Sequence, residues 1–295
     1  MTASRCALAI IGCMMLSAGT ACAQTDAPAA AKTASPAASE QATAPAASRR
    51  NASYTPTVGQ SGKDVVWVPT PQALVDRMLD MAQLTPQDTL VDLGSGDGIT
   101  VITAAKRGAK ARGIEFNPDM VALARRNAQA QGVADQAVFQ QGDIFKSDFS
   151  DATVVTLFLL PSLNVRLRPT LLDMKPGTRV VSNSFDMDDW KPDETAEVTR
   201  DCTSYCTAYK WVVPAKVEGA WTLGPNQLQL KQTYQMLEGS LRENNNTRPI
   251  TDARMEGSRI RFSVGPNRYE GQVDGERMHG TINGKQAWEA TRARR

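Results

Sequence analysis

Histidine is almost missing from this chain of 295 residues: there is one, His279. Aromatic residues make up only 6%, and no apolar run approaches the ~20 residues that a helix needs to cross a bilayer. No excess of charge exists either, since 33 Lys and Arg face 31 Asp and Glu. Each shortage removes a class of reading. One histidine without a second cysteine pair gives no set of metal ligands, so no metal is expected. A net charge of +2 is far from the concentrated basic surface of most nucleic-acid binders, so no nucleic-acid partner is expected. What remains is the composition of a globular protein, long enough for one large domain and a smaller one.

The amino end follows a different grammar. Arg5, an apolar run from Cys6 to Leu16 and the small residues Ala21-Cys22-Ala23 read as a secretory signal peptide over 1–23, cleaved after Ala23. The mature protein is then expected in the periplasm or cell envelope. Lipidation of Cys22 or retention as an anchor are the alternatives, although Gly19 stands where a lipidation signal carries a leucine-like residue. Residues 24–60, rich in Ala, Pro and Ser, are expected to be a disordered linker. Three of the five cysteines lie in the signal region, which leaves Cys202 and Cys206. An oxidising compartment favours a disulfide, with two free thiols as the alternative. A bridge needs a turn at Ser204-Tyr205, because an extended strand holds such cysteines beyond the ~7 Å Cα limit.

Residues 61–216 carry the chemistry. A helix is expected from Thr70-Pro71 to before Pro86, with Leu74, Met78 and Met81 on one face. The strand Thr89–Leu93 runs into Gly94-Ser95-Gly96-Asp97-Gly98 and an Ala-rich helix to about Arg107. Glycines in such a turn let backbone N–H groups and a helix start come close to a ligand where a Cβ would obstruct. The spacing differs from the G-x-G-x-x-G of dinucleotide sites. Asp92 beside it suits a ligand's ammonium group and would repel a pyrophosphate. A second strand, 111–115, ends in Glu115, placed to accept hydrogen bonds from ribose hydroxyls. A third, 137–141, leads into Gly142-Asp143-Ile144, where Asp143 can accept from an adenine amine and Ile144 can pack on its ring. Further strands are expected at 153–160, 178–182, 196–200 and 207–213, with the usual helix after the fifth shortened.

With these motifs the chain resembles the class I S-adenosylmethionine-dependent methyltransferases. The resemblance implies an α/β fold with a Rossmann-like seven-stranded sheet and S-adenosylmethionine as methyl donor. The cofactor-binding residues would be Asp92, Gly94, Ser95, Gly96, Asp97, Gly98, Glu115, Phe116, Asp143 and Ile144. Val68-Pro69-Thr70, the 154–161 run and Pro176-Gly-Thr-Arg-Val-Val-Ser182 are similar to lysine methyltransferases that act on mitochondrial inner-membrane proteins. That implies a protein substrate, at or near a membrane. The fourth strand ends in Leu159-Leu160-Pro161 and lacks the Asn or Asp with Pro-Pro-aromatic that holds a planar amide in adenine and glutamine methyltransferases. Thr70, Asn183 and the backbone around Pro161 are candidates to position a lysine amine, and Asp186 to help remove its proton. The acidic run through Asp186, Asp188 and Asp189, with Phe185 and Trp190, is expected to form a rim for a cationic substrate. A small-molecule O-methyltransferase and an exported binding scaffold are the alternatives. Nothing in the sequence fixes an oligomeric state.

From 217 to 295 short alternating runs separated by turn residues read as a small antiparallel β-barrel or sandwich of six or so strands. Trp221 and Trp288 are expected as core plugs and His279 as an ordinary strand residue.

Overall fold

The computed structural model describes residues 54–293; the expected signal peptide and most of the expected linker lie outside the described residues. Residues 54–60, the last of that linker, pair with the chain that follows: Gly59 N–H donates to Trp67 O at 2.8 Å and Trp67 N–H to Gln60 O at 2.9 Å.

Five parallel strands come first: β1 (Thr89–Leu93), β2 (Lys110–Glu115), β3 (Ala137–Gln141), β4 (Val154–Leu157) and β5 (Arg179–Asn183). With β6 (Glu194–Glu197) and β7 (Thr207–Val212) they form a seven-stranded sheet in the order β3-β2-β1-β4-β5-β7-β6, β7 running antiparallel to its neighbours. Alternate residues of β1 enter opposite cores. Leu90 packs with the buried faces of α1 (Gln72–Met81), α2 (Ile99–Lys106) and α3 (Pro118–Ala130). Val91 and Leu93 pack with Leu167 and Leu171 of α4 (Pro161–Leu172). A parallel sheet covered on both sides accounts for the nearly continuous apolar strands.

Most elements fall within a residue or two of the sequence reading, and three differences matter more. β4 stops at Leu157 instead of residue 160, because Pro161 occupies the first turn of α4 and Leu160 is its extended N-cap. No helix follows β5 among the described residues; a Met187–Trp190 bridge takes its place. The sixth strand begins at Glu194 instead of 196. Cys202 and Cys206 are joined, their Cα atoms 5.8 Å apart, with Tyr205 at φ +57° making the turn. Closing so short a loop contributes about 2 kcal/mol. The variant Cys202→Ser/Cys206→Ser is expected to lose about that much in denaturant unfolding relative to the oxidised chain.

The second sheet has nine strands, more than the six expected: β8 (Gly219–Leu223), β9 (Asn226–Thr233), β10 (Met236–Glu243), β11 (Asn246–Pro249), β12 (Thr251–Glu256), β13 (Arg259–Val264), β14 (Asn267–Asp274), β15 (Arg277–Ile282) and β16 (Gln286–Arg292). Because β9 pairs with both β8 and β10, eight of them close into an antiparallel barrel and β11 hangs on β10. Side chains fill a barrel of this size. Trp221, Leu228, Met255, Phe262 and Trp288 occupy its core, and Phe262 stacks on Tyr269 with centroids 4.6 Å apart. His279 lies mid-strand in β15, paired with Gln272 and Glu289.

The barrel sits on the stretch after β5. Tyr234, in the β9–β10 turn, stacks on the fully buried Trp190 and donates its hydroxyl to Asp189 at 2.9 Å. Gln235 Nε2 donates to Lys191 O at 2.8 Å, and Arg254 of β12 pairs with Asp193.

Candidate functional site

The carboxyl ends of the parallel strands all open on one cavity of about 460 Å³. The loop after β1 is turned back on β2, where Gly94 N–H donates to Ile114 O at 2.8 Å. Gly94 and Gly96 hold φ of +82° and +53°, and a Cβ on Gly96 would lie 2.8 Å from the indole nitrogen of Trp67, which roofs the loop. Gly113 is needed for a different reason. Any side chain there would meet Ser95 Oγ at 2.4 Å and Phe139 at 2.7 Å, so its small size lets the loop lie flat on β2.

Glu115 fastens loop to strand. Its Oε2 accepts from Gly96 N–H at 3.0 Å and its Oε1 from Asn117 N–H at 2.9 Å. Asp92 is buried and accepts from the Thr156 hydroxyl at 2.6 Å. Burial above all pushes its carboxyl up to about 7; the charges of Glu115 and Asp97 push the same way, and the Thr156 hydrogen bond opposes them. At the far end Asp143 accepts from Phe145 N–H at 3.0 Å and from Lys63 Nζ at 2.9 Å, and the Lys63 ammonium holds the Asp143 carboxyl below the usual range. The same ammonium stands 5.1 Å from the ring centroid of Phe116.

Among the described residues, five carboxylates, Asp64, Asp92, Asp97, Glu115 and Asp143, line the cavity with a single cationic side chain, Lys63. That donor-hungry, glycine-cradled set fits S-adenosylmethionine, which brings an ammonium, a sulfonium, ribose hydroxyls and an adenine amine, and does not fit a pyrophosphate. When bound, the Asp92, Glu115 and Asp143 side chains would hold those groups. A cationic ligand favours ionised Asp92. Binding is therefore expected to weaken below pH 7, approaching about tenfold per pH unit, with proton uptake by the free site. Titration calorimetry from pH 5.5 to 8 measures it; a flat affinity would mean that Asp92 does not face the cation. For the fold alone the sign is opposite. A carboxyl raised above its unfolded value stabilises at low pH, and that contribution is lost as pH rises through about 7.

Nine of the ten expected cofactor residues line the cavity. Gly98 does not: it sits behind the loop, where a Cβ would meet Phe139 at 2.6 Å, so its role is packing. Of the expected acceptor-side residues, Thr70 lines the cavity and its Oγ1 accepts from Asn183 Nδ2 at 3.4 Å, while Asn183 itself is fully buried behind it. Pro161 starts α4 and lies off the cavity wall, which Leu159, Leu160 and Leu163 supply instead. Asp186 is also off the wall, its Oδ1 accepting from Asp188 N–H at 3.1 Å. Nor does the acidic run as a whole form a free rim for a cation: Phe185 lines the cavity, but Asp189 pairs with Arg168 and Tyr234, and Trp190 is buried under the barrel. Lys63, Trp67, Phe158 and Tyr205 join the wall without a sequence signal of their own. Lys63 and Trp67 precede the strand motifs, and no spacing rule ties them to the glycine loop.

Residues 92–194 match the family model of the ANTKMT methyltransferase domain. A protein-lysine N-methyltransferase of Saccharolobus islandicus is 43% identical over 152 residues, covering 50% of this chain and 94% of that protein. A lysine N-methyltransferase of Rattus norvegicus, named for a subunit of ATP synthase, is 36% identical over 130 residues, with 44% of this chain and 60% of that protein covered. The adenine nucleotide translocase lysine N-methyltransferase of Mus musculus is 36% identical over 120 residues, with 40% and 52% covered. This chain thus spans little more than half the length of the last two. Among solved structures, a protein of Salinibacter ruber described as an RNA methyltransferase in complex with S-adenosyl-L-homocysteine is 51% identical. That alignment covers 51% of this chain and 96% of that one, with a TM-score of 0.48. The match covers nearly the whole of the Saccharolobus protein, the family model falls on residues 92–194, and this chain belongs to the family of S-adenosylmethionine-dependent protein-lysine N-methyltransferases.

Proposed function

We propose that this protein methylates lysine side chains of a protein at or near a membrane, within the cell envelope. One observation carries the reading: the cavity is acidic where β1, β2 and β3 end, and apolar and aromatic around Phe158, Leu159 and Leu160, where β4 ends. An apolar passage suits the four-carbon stem of lysine. The reaction asks mainly for proximity and a deprotonated amine, so the lack of a histidine at the strand ends is no obstacle. S-adenosylmethionine, when bound, supplies a methyl whose bond to sulfur breaks, the electron pair staying on sulfur, as the amine lone pair forms the new nitrogen–carbon bond. The amine proton passes to solvent. Thr70, its hydroxyl oriented by Asn183, would position the amine on the cavity wall.

Relatives named for lysine methylation of an ATP synthase component and of a nucleotide translocase support a protein acceptor. The balanced charge supports it over RNA, and the signal-like residues 1–23 support the envelope. The test incubates the mature chain and methyl-labelled cofactor with envelope extract and, in parallel, with total RNA, then locates the label by mass spectrometry. Label on lysine is expected. Label on RNA or a small molecule, with none on lysine, would overturn the acceptor class and leave the cofactor site intact.

A further inference from the structure

Three aromatic rings meet on the wall of the cavity, away from the acids of β1 to β3. Phe158 directly follows β4, Phe185 follows β5 by two residues, and Tyr205 precedes β7 by two. These three strands are consecutive in the sheet, on the side opposite β2 and β3. Ring centroids lie 5.3 Å apart for Phe158 and Tyr205, 6.0 Å for Phe185 and Tyr205, and 6.2 Å for Phe158 and Phe185. Tyr205 is 43% exposed, so its ring is open to a ligand from solvent. Among the described residues, cations stand over Phe116, Phe145, Tyr234 and Trp221, and none over these three.

From this arrangement we infer that Phe158, Phe185 and Tyr205 form a binding subsite for an alkylammonium group, and that it selects the acceptor and retains it as it gains methyl groups. The inference rests on the lysine reading above and adds the groups that recognise the side chain. π faces attract a cation, and the attraction persists for a quaternary ammonium that can no longer donate a hydrogen bond. A wall of carboxylates would favour the unmethylated lysine, which keeps its N–H donors and is the most compact of these cations. A wall of rings has no such preference, so a monomethylated or dimethylated side chain can stay for a further transfer. The rings also suit the step itself, since positive charge grows on nitrogen as the nitrogen–carbon bond forms.

Tyr205 owes its place to the neighbouring bridge. It lies inside the five-residue loop that Cys202–Cys206 closes, at φ +57°, a conformation that a tyrosine adopts only when its surroundings impose it. Opening the bridge releases that constraint, so the subsite is expected to depend on the oxidised state. Tyr205 acts here on binding and selectivity, and the glycine loop that holds the cofactor is formed by other strands.

The test uses acetyl-trimethyllysine amide and its neutral carbon isostere, with a tert-butyl group in place of the trimethylammonium, titrated into the mature chain saturated with S-adenosylhomocysteine. The charged probe is expected to bind about tenfold more tightly than the isostere. Tyr205→Ala is expected to erase most of that ratio, Tyr205→Phe to keep it, and Cys202→Ser/Cys206→Ser to resemble Tyr205→Ala. Unchanged affinity of each variant for S-adenosylhomocysteine shows that the domain remains folded. In the labelling experiment, Tyr205→Ala is expected to shift labelled lysines from the trimethylated to the monomethylated form. Equal affinity for the two probes in the native chain, or a ratio that Tyr205→Ala leaves intact, would overturn the inference even with label on lysine. A charge preference lost in Tyr205→Ala, found together with label on RNA alone, would support the subsite and remove the lysine reading.

Discussion

Glu115→Ala is expected to weaken binding of S-adenosylmethionine by about 1 to 3 kcal/mol, roughly 5- to 150-fold. The carboxylate does two things at once. It accepts the N–H groups of Gly96 and Asn117, which fixes the glycine loop against the end of β2, and on the cavity wall it would offer its remaining lone pairs to ribose hydroxyls. Alanine leaves both N–H groups without that partner and any bound hydroxyls unpaired. Glu115→Gln keeps an acceptor oxygen and is expected to lose less. S-adenosylhomocysteine shares the ribose and should weaken in parallel. Calorimetry of both ligands, with the thermal midpoint of the free variant as control, separates loss of contact from loss of fold. Affinity unchanged in a folded Glu115→Ala chain would remove the ribose assignment.

That residue is legible in the sequence because its signal is local. A carboxylate at a strand end, a glycine turn after the first strand and Gly142-Asp143 after the third are each defined within a few residues of their own strand, and parallel pairing brings the ends together. The seven-stranded sheet follows for the same reason. What the sequence hides has a common physical origin in partners distant along the chain. Asp189 and Trp190 look like a free rim until Tyr234, more than 40 residues later, packs on them. Tyr205 gains its neighbours Phe158 and Phe185 only when three loops converge. In the barrel, β9 turns into β10 through Tyr234-Gln235 and β10 into β11 through Asn244-Asn245, with no Gly or Pro to mark either turn. Tyr234 adopts positive φ without the Gly or Asn that usually signals it, and so turn residues alone undercount the strands.

Asp193→Ala is expected to destabilise the chain by about 3 kcal/mol, the lower end for breaking a buried ion pair, because this pair is partly buried. It is also expected to separate the unfolding of the two sheets. The Asp193 side chain is 11% exposed and joins three elements: Oδ2 accepts from Val212 N–H of β7 at 2.7 Å, while Oδ1 pairs with Arg254 of β12 and accepts from Gln235 Nε2 at 3.3 Å. Alanine strands the Arg254 guanidinium, 30% exposed, and leaves a strand N–H without its acceptor. Lys216–Asp173 is the control. It also lies near the junction of the two sheets, yet its side chains are 72% and 71% exposed, so Lys216→Ala is expected to cost under about 1 kcal/mol. Denaturant unfolding followed by far-UV circular dichroism and by tryptophan fluorescence reads both effects. Coincident transitions in the native chain and divergent ones in Asp193→Ala are expected; coincident transitions in both, with little loss of stability, would mean that the contacts left in the variant, among them the Trp190–Tyr234 stack and the Gln235–Lys191 hydrogen bond, suffice to seat the barrel. The consequence reaches the cavity, because the stretch that the barrel clamps begins immediately after Phe185. A barrel loosened at Asp193 should therefore slacken one ring of the acceptor wall while Glu115 and the glycine loop, anchored on β1 and β2, keep their grip on the cofactor.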